Sequence, residues 1–275
     1  MAMLMPHNAL GSRGRERDTR RSAKDMSDSL IIETRGLTKE FHGYFAVKDV
    51  DLRVRRGHIH ALIGPNGAGK TTCFNLLTKF LTPTRGQILY KGQDITFATA
   101  SQISRLGMVR SFQVSAVFPH LTVLENVRVA LQRTLGTTFH FWRSGSSLNV
   151  LNARAMQLLN GVDMEPFAAT LAVRLPYGRK RALEIATTLA MEPELMLLDE
   201  PTQGMGHEDV GKVTALIKKA SVNRTVLMVE HNMNVVASIA DSITVLQRGR
   251  IIADGSYAEV SANAQVIEAY LGSAA

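Results

Sequence analysis

His58-Ile59-His60-Ala61-Leu62-Ile63-Gly64-Pro65-Asn66-Gly67-Ala68-Gly69-Lys70-Thr71-Thr72 is the stretch on which the reading of the fold turns. Residues 58–63 read as a short buried strand, Gly64 to Thr71 spells GxxxxGK[ST], and Thr72 to Phe80 carries the apolar spacing of a helix. Glycines at 64, 67 and 69 let the backbone turn successive N–H groups toward an anion. The helix that follows adds its positive N-terminal end. Lys70 can reach the outer phosphates as a point charge, and the Thr71 hydroxyl suits Mg²⁺. A strand, a glycine-rich loop and a helix in this order predict a nucleoside triphosphate site.

Working outward, Leu30 to Phe41 and Val47 to Val54 read as strands, with Arg55-Arg56-Gly57 turning into the strand at 58–63. Gln87 to Tyr90 adds another. The character then changes: Leu121 to Leu131 and Leu148 to Leu159 read as helices, joined by Gly136 to Ser147, a connector holding the only tryptophan, Trp142. Strand and helix alternate again after Tyr177. Helices are expected at Tyr177–Met191, Glu208–Ala220 and Asn232–Ala240, and strands at Leu195–Asp199 and Thr225–Glu230. Ile243–Leu246 and Arg250–Ala253 close as a hairpin. This pattern predicts an α/β chain, with a helical segment set into an alternating core.

Leu195-Met196-Leu197-Leu198-Asp199-Glu200 is an apolar strand ending in two carboxylates, the usual place for a ligand crevice in an α/β sheet. Beside a phosphate loop, Asp199 is expected to hold Mg²⁺ and Glu200 to orient and polarise the attacking water. His231 ends another apolar strand and is expected at the same sheet edge, bridging the γ-phosphate and that water. His58 and His60 alternate on one strand without a matching Cys or carboxylate set, and are not read as metal ligands.

Composition bounds the rest. The 275 residues are 45% hydrophobic and 20% charged, enough for one large domain or two small ones. No apolar run approaches the ~18 residues that span a bilayer, so any membrane role is expected to run through a partner. One cysteine, Cys73, precludes an intrachain disulfide and is expected to be a small buried residue. Net charge is +8, half of it in residues 1–24, where six basic side chains face two acidic ones. Residues 1–28 are expected to be a disordered basic extension, or an upstream-start artefact with the domain beginning at Met26; an arm drawn to anionic lipid or nucleic acid is the sharper alternative.

From about Leu30 to Gly272 the chain resembles the nucleotide-binding subunits of ATP-binding-cassette (ABC) transporters. The shared pieces are the phosphate loop, Ser111-Phe112-Gln113, Leu175-Pro176-Tyr177-Gly178, Leu197-Leu198-Asp199-Glu200-Pro201 and Glu230-His231. The resemblance implies a P-loop NTPase core, a mixed sheet flanked by helices, within a cassette spanning 29–275. It also implies a helical subdomain inserted at about 114–176 and an N-terminal antiparallel β subdomain. It implies ATP and Mg²⁺ as cofactors, held by Gly64, Pro65, Asn66, Gly67, Ala68, Gly69, Lys70, Thr71 and Thr72. Gln113 would contact Mg²⁺ with Thr71 and Asp199, and Phe41 would stack on adenine, with Tyr44 as a competitor.

Members work as head-to-tail pairs. Pro176, Tyr177 and Gly178 would therefore act on a partner's ATP, in a homodimer or in a heterodimer with a second cassette. Integral membrane permease subunits would be driven by the pair and served by a solute-binding protein, with the chain peripheral on the cytoplasmic face of the plasma (inner) membrane.

Gly107 to Gln113, Leu121 to Val127, Leu183-Glu184-Ile185-Ala186 and Glu268 to Gly272 look closer still to the branched-chain amino acid importers, specifically to the larger of their two cassettes. Members also serve amide and urea uptake. A soluble cassette clamping nucleic acid or ribosomes is the other class; such proteins usually join two cassettes or insert coiled coils, so no nucleic-acid partner is expected.

Two departures stand out. Pro176 replaces a serine whose hydroxyl would reach the opposite γ-phosphate, a loss that Arg179, Lys180 and Arg181 could offset with positive charge. Gly204-Met205-Gly206-His207 lacks the usual Asp or Asn. Slow or unequal hydrolysis is the expectation.

Overall fold

The computed structural model describes residues 30–111, 117–132 and 151–271. Residues 1–28, Phe112, Gln113, the 136–147 connector with Trp142, residues 148–150 of the helix expected at Leu148–Leu159, and Gly272 lie outside that set.

Two sheets share the apolar side chains of the helix after the phosphate loop. One is antiparallel: β1 (Leu30–Phe41) lies between β2 (Tyr44–Val50) and β5 (Arg85–Tyr90), with β6 (Gln93–Asp94) beyond β5 and β3 (Arg53–Arg55) also on β1. The other has six strands in the order β11 (Arg250–Gly255), β10 (Ser242–Gln247), β4 (Ile59–Ile63), β9 (Thr225–Val229), β8 (Leu195–Asp199) and β7 (Met108–Ser111). Only the β10–β11 hairpin is antiparallel; every other pair is parallel. β4, β8 and β9 are buried at every position, as strands covered on both faces must be.

Alternate residues of these strands feed two cores. Leu62, Leu195, Leu197, Leu227, Val229 and Leu246 face the antiparallel sheet and α1 (Lys70–Leu77), which contributes Cys73, Phe74, Leu76 and Leu77. Ala61, Ile63, Met196, Leu198, Met228 and Val245 face the opposite way, toward helices. Those helices are α3 (Val123–Leu131), α4 (Asn152–Gly161), α5 (Tyr177–Ala190), α6 (His207–Ala220) and α7 (Met233–Ile239). A capping box starts α3: Glu125 N donates to Thr122 Oγ1 at 3.2 Å, and Thr122 N donates to the Glu125 carboxylate at 2.7 Å. The Cys73 thiol, fully buried in α1, has its pKa pushed up to about 12 because apolar surroundings penalise the thiolate.

Several elements differ from the expectation. The strand expected at Val47–Val54 is broken, because the Thr34 hydroxyl donates to Val50 O and accepts from Leu52 N, both at 2.8 Å, drawing the chain inward. α1 stops at Leu77, not Phe80; Thr78 Oγ1 bonds back to Phe74 O and Lys79 takes a φ of 64°. β7, the short helix α2 (Ala100–Arg105) and the C-terminal helices α8 (Tyr257–Ser261) and α9 (Ala264–Leu271) were not anticipated. β7 hides a buried-strand pattern behind Arg110.

His60 sits inside the larger sheet with both ring nitrogens engaged: Ser242 Oγ lies 2.7 Å from Nδ1 and Thr244 Oγ1 2.8 Å from Nε2. Thr244 Oγ1 donates its own proton to Asp254, so it accepts from His60, and Nε2 carries the hydrogen. Burial lowers the His60 pKa to about 4, against an opposing pull from Asp254 and a smaller push from His58. The unfolded chain therefore binds a proton that the native state refuses between about pH 6.5 and 4. Stability is full above the unfolded value and falls as pH drops through that window, by up to ~3 kcal/mol from this residue. Urea unfolding of the wild type and His60→Gln at pH 7.5 and 4.5 should show a smaller acid loss in the variant.

Candidate nucleotide site

Register places the site. In the parallel ladder Leu62 lies opposite Val229, and Val229 opposite Asp199. One row across β4, β9 and β8 therefore leads at the same sheet edge into Gly64, His231 and Glu200. The sequence reading put all three at strand ends, and pairing makes those ends neighbours.

The loop is held by contacts too close for a side chain. A Cβ on Gly64 (φ 147°) would lie 2.1 Å from Leu246 O, and one on Gly69 (φ 99°) 2.3 Å from Ala46 O. Gly69 is also the N-cap of α1, which has no side-chain cap and no acidic residue in its first turn. Its leading amides thus keep the character that suits an anion. Gly249 N, in the β10–β11 turn, donates to Ala68 O at 2.9 Å and braces the loop from outside. Lys70 is 7% exposed, and its Nζ donates to Gly64 O at 2.6 Å and Pro65 O at 3.0 Å. Burial lowers its pKa while the Glu200 carboxylate opposes that shift. Asn66, Gly67 and Thr71 are exposed, Pro65 and Thr72 half-buried and Ala68 buried.

Asp199 is 3% exposed, and Arg110 Nη2 donates to its Oδ2 at 2.5 Å. Arg110 also donates through Nη1 to Asn75 Oδ1 (2.8 Å) and Thr78 Oγ1 (3.2 Å), with its guanidinium 5.1 Å from the centres of both the Phe74 and Phe80 rings. The sequence alone does not pair Arg110 with Asp199. A charged residue on a strand next to an apolar core was the available signal. Mg²⁺ keeps several waters and needs only one or two protein oxygens. The Thr71 hydroxyl and the Asp199 carboxylate are oxygens of that kind, and among the described residues no cluster of three His, Cys, Asp or Glu offers a rival site.

Glu200 has a φ of 44° and its N–H donates to Val229 O at 2.9 Å, tying the carboxylate-bearing residue to the neighbouring strand. His231 is exposed, with Nδ1 3.9 Å from the buried carboxylate of Glu230. Phe41 and Tyr44 pair across the β1–β2 hairpin, 39% and 63% exposed, with the Lys39 ammonium 5.0 Å over the Phe41 ring. That hairpin reaches the loop through Ala46.

Pro176 is the N-cap of α5, with φ −64° and ψ 160°; Tyr177 and Gly178 open the helix, Gly178 beside Asp209. Arg181 is 4% exposed and turned inward, and Arg179 donates to Asp163 O over the Phe167 ring. Two of the three charges expected to offset Pro176 are thus committed within the chain.

The family model described as "ABC transporter" matches residues 47–203, and that described as "Branched-chain amino acid ATP-binding cassette transporter" matches 250–275. The chain belongs to the ABC transporter family. It is 40% identical over 254 residues to the high-affinity branched-chain amino acid transport ATP-binding protein BraF of Pseudomonas aeruginosa, covering 89% of this chain and 98% of that one. Among solved structures it is similar to an ABC transporter cassette in its ADP conformation (25% identity, TM-score 0.77, 88% of this chain and 99% of that one). It is also similar to a dimeric cassette in a post-hydrolysis state with ADP and Pi (25% identity, TM-score 0.68, 82% and 98%). As an ABC ATPase cassette, the chain has the P-loop α/β fold expected of it.

Arg110→Met leaves Asp199 as a buried charge without its cation, which should lower stability by ~3 kcal/mol. Urea unfolding without nucleotide checks this, and adding Asp199→Asn should recover part of the loss.

Proposed function

We propose that this chain binds MgATP on Gly64–Thr72 and hydrolyses it to drive uptake of branched-chain amino acids. It would do so beside integral membrane permease subunits, on the cytoplasmic face of the plasma (inner) membrane. The observation that carries the reading is the row Leu62–Val229–Asp199, which delivers the phosphate loop, His231 and Glu200 to one edge. The name of BraF and the match at 250–275 support branched-chain amino acids as the solute class. Among the described residues no helix is long and apolar enough to cross a membrane, which fits a subunit that works through a permease.

In this reading the loop amides and the Lys70 ammonium neutralise the phosphate tail. The Glu200 carboxylate orients and polarises the attacking water, and the His231 imidazole completes the γ-phosphate contact. Bound Mg²⁺ would supply Lewis-acid stabilisation of the phosphoryl oxygens. Thr71, Asp199 and Gln113 are its proposed holders, Gln113 by resemblance alone. The Phe41 ring is the proposed adenine platform. A second cassette, identical or different, would complete the site through Pro176, Tyr177 and Gly178; the dimeric ADP and Pi structure supports such pairing. A solute-binding protein would act one step removed, through the permease.

Glu200→Gln should keep ATP affinity and lose turnover by about 100-fold or more, as expected for removal of a general base. Lys70→Ala should abolish measurable MgATP affinity in calorimetry. Wild-type hydrolysis in the first, or intact affinity in the second, would reject these roles.

Serine is favoured at an N-cap with the backbone angles of Pro176. A serine can thus stand there without strain. If its hydroxyl reaches the partner's γ-phosphate as the family resemblance implies, Pro176→Ser should raise turnover of the assembled transporter by about ten-fold, the lower bound for a restored hydrogen bond to a charged group. Steady-state ATPase assays on the two complexes decide it.

A further inference from the structure

The turn that carries Glu200 is gripped from two sides by buried charges. Arg181, on the second turn of α5, donates through Nη2 to Glu200 O at 3.2 Å and through Nε to Pro201 O at 3.1 Å. Its Nη1 pairs with Glu184 Oε2 at 2.5 Å, both side chains being at least nine-tenths buried. On the other side Glu230, with no exposed surface, accepts through Oε1 from Thr202 N at 3.1 Å and from the Thr202 hydroxyl. Through Oε2 it accepts from His231 N at 2.8 Å and Asn232 N at 3.1 Å.

The signs are matched to the peptide groups. A guanidinium can only donate, and it meets the carbonyls of 200 and 201; a carboxylate accepts, and it meets the amides of 202, 231 and 232. Between them Glu200 keeps a left-handed φ of 44°, a region that a residue with a Cβ leaves unless its surroundings hold it. Buried ionic groups are seldom the most stable filling for a core, where apolar residues of equal volume do as well or better. What this pair supplies is a fixed relation between two loops and a helix.

We infer that Arg181 and Glu230 are positioning residues that hold the Glu200 carboxylate and the His231 imidazole in register, clamping the 200–202 turn between α5 and the end of β9. The inference rests on the reading of Glu200 as the group that polarises water. Because Arg181 is four residues into the helix that begins at Tyr177, a shift of α5 carries the carbonyls of 200 and 201 with it. Glu230 carries any shift of Thr202 on to His231.

The test uses the full chain in its transporter. Arg181→Met with Glu184→Met removes both charges together, so that neither is stranded, and Thr202→Val removes the hydroxyl's hydrogen bond to Glu230 without touching a charge, leaving the amide's. ATP affinity by equilibrium titration and KM should stay within about two-fold. The value of kcat should fall by about 10- to 100-fold in the double variant and several-fold in Thr202→Val, with Thr202→Ser restoring it. Wild-type kcat in the folded variants, or kcat and affinity falling together, would overturn the clamp.

Single-turnover rates in a Glu200→Gln background separate this proposal from its premise. If the clamp acts through Glu200, its variants add little further loss there; full additivity would refute it. Glu200→Gln alone at wild-type rate would instead reject the role of Glu200.

Discussion

Backbone approach too close for a methyl group fixes the phosphate loop, and the rest of the site is arranged around it. Leu246 O, from the larger sheet, stands where a side chain on Gly64 would be, and Ala46 O, from the antiparallel sheet, where one on Gly69 would be. The loop is thus shaped by both sheets at once and lies at their seam, with α1 filling the core between them. Its curvature is bounded by those backbone contacts on both sides. Preorganised amides are what make such a site effective, since no reorganisation is needed when charge arrives.

Charge is distributed in the interior by the same economy of partners. Asp199 has Arg110, Arg181 has Glu184 and two carbonyls, and Glu230 has three amides and a hydroxyl. Each is a group that would be expensive to bury alone. Their partners come from different parts of the chain: β7 to β8, α5 to the turn after β8, and that turn to the end of β9. The polar interior joins what the apolar interior only packs.

Much of this is legible in the sequence. The phosphate loop, Asp199, Glu200 and His231 could be read because each ends a run of apolar residues, and a buried strand that stops at a polar group marks a sheet edge. What could not be read was adjacency. β4 and β9 are separated by more than 160 residues in sequence yet share a ladder, and no local pattern encodes which parallel strands pair. The role of Arg110 was hidden for that reason, since its partner lies 89 residues away. Arg181 was misjudged because a charged residue in a helix is ordinarily solvated, and only the position of the 200–202 turn draws it inward. Thr34 broke an expected strand through its hydroxyl, a substitution of side chain for backbone that alternation of apolar residues does not reveal.

Cys73 gives the molecule a property of practical use. It is the single thiol of the chain, buried in α1 directly behind the phosphate loop, and suppression of its thiolate leaves it inert to alkylating reagents while the helix is packed. A cysteine engineered at an exposed position such as Val222 would therefore take a fluorophore alone, without the native residue first being removed. The native sulfur, in turn, becomes a clock: the rate at which it is alkylated records how often the helix behind the loop opens.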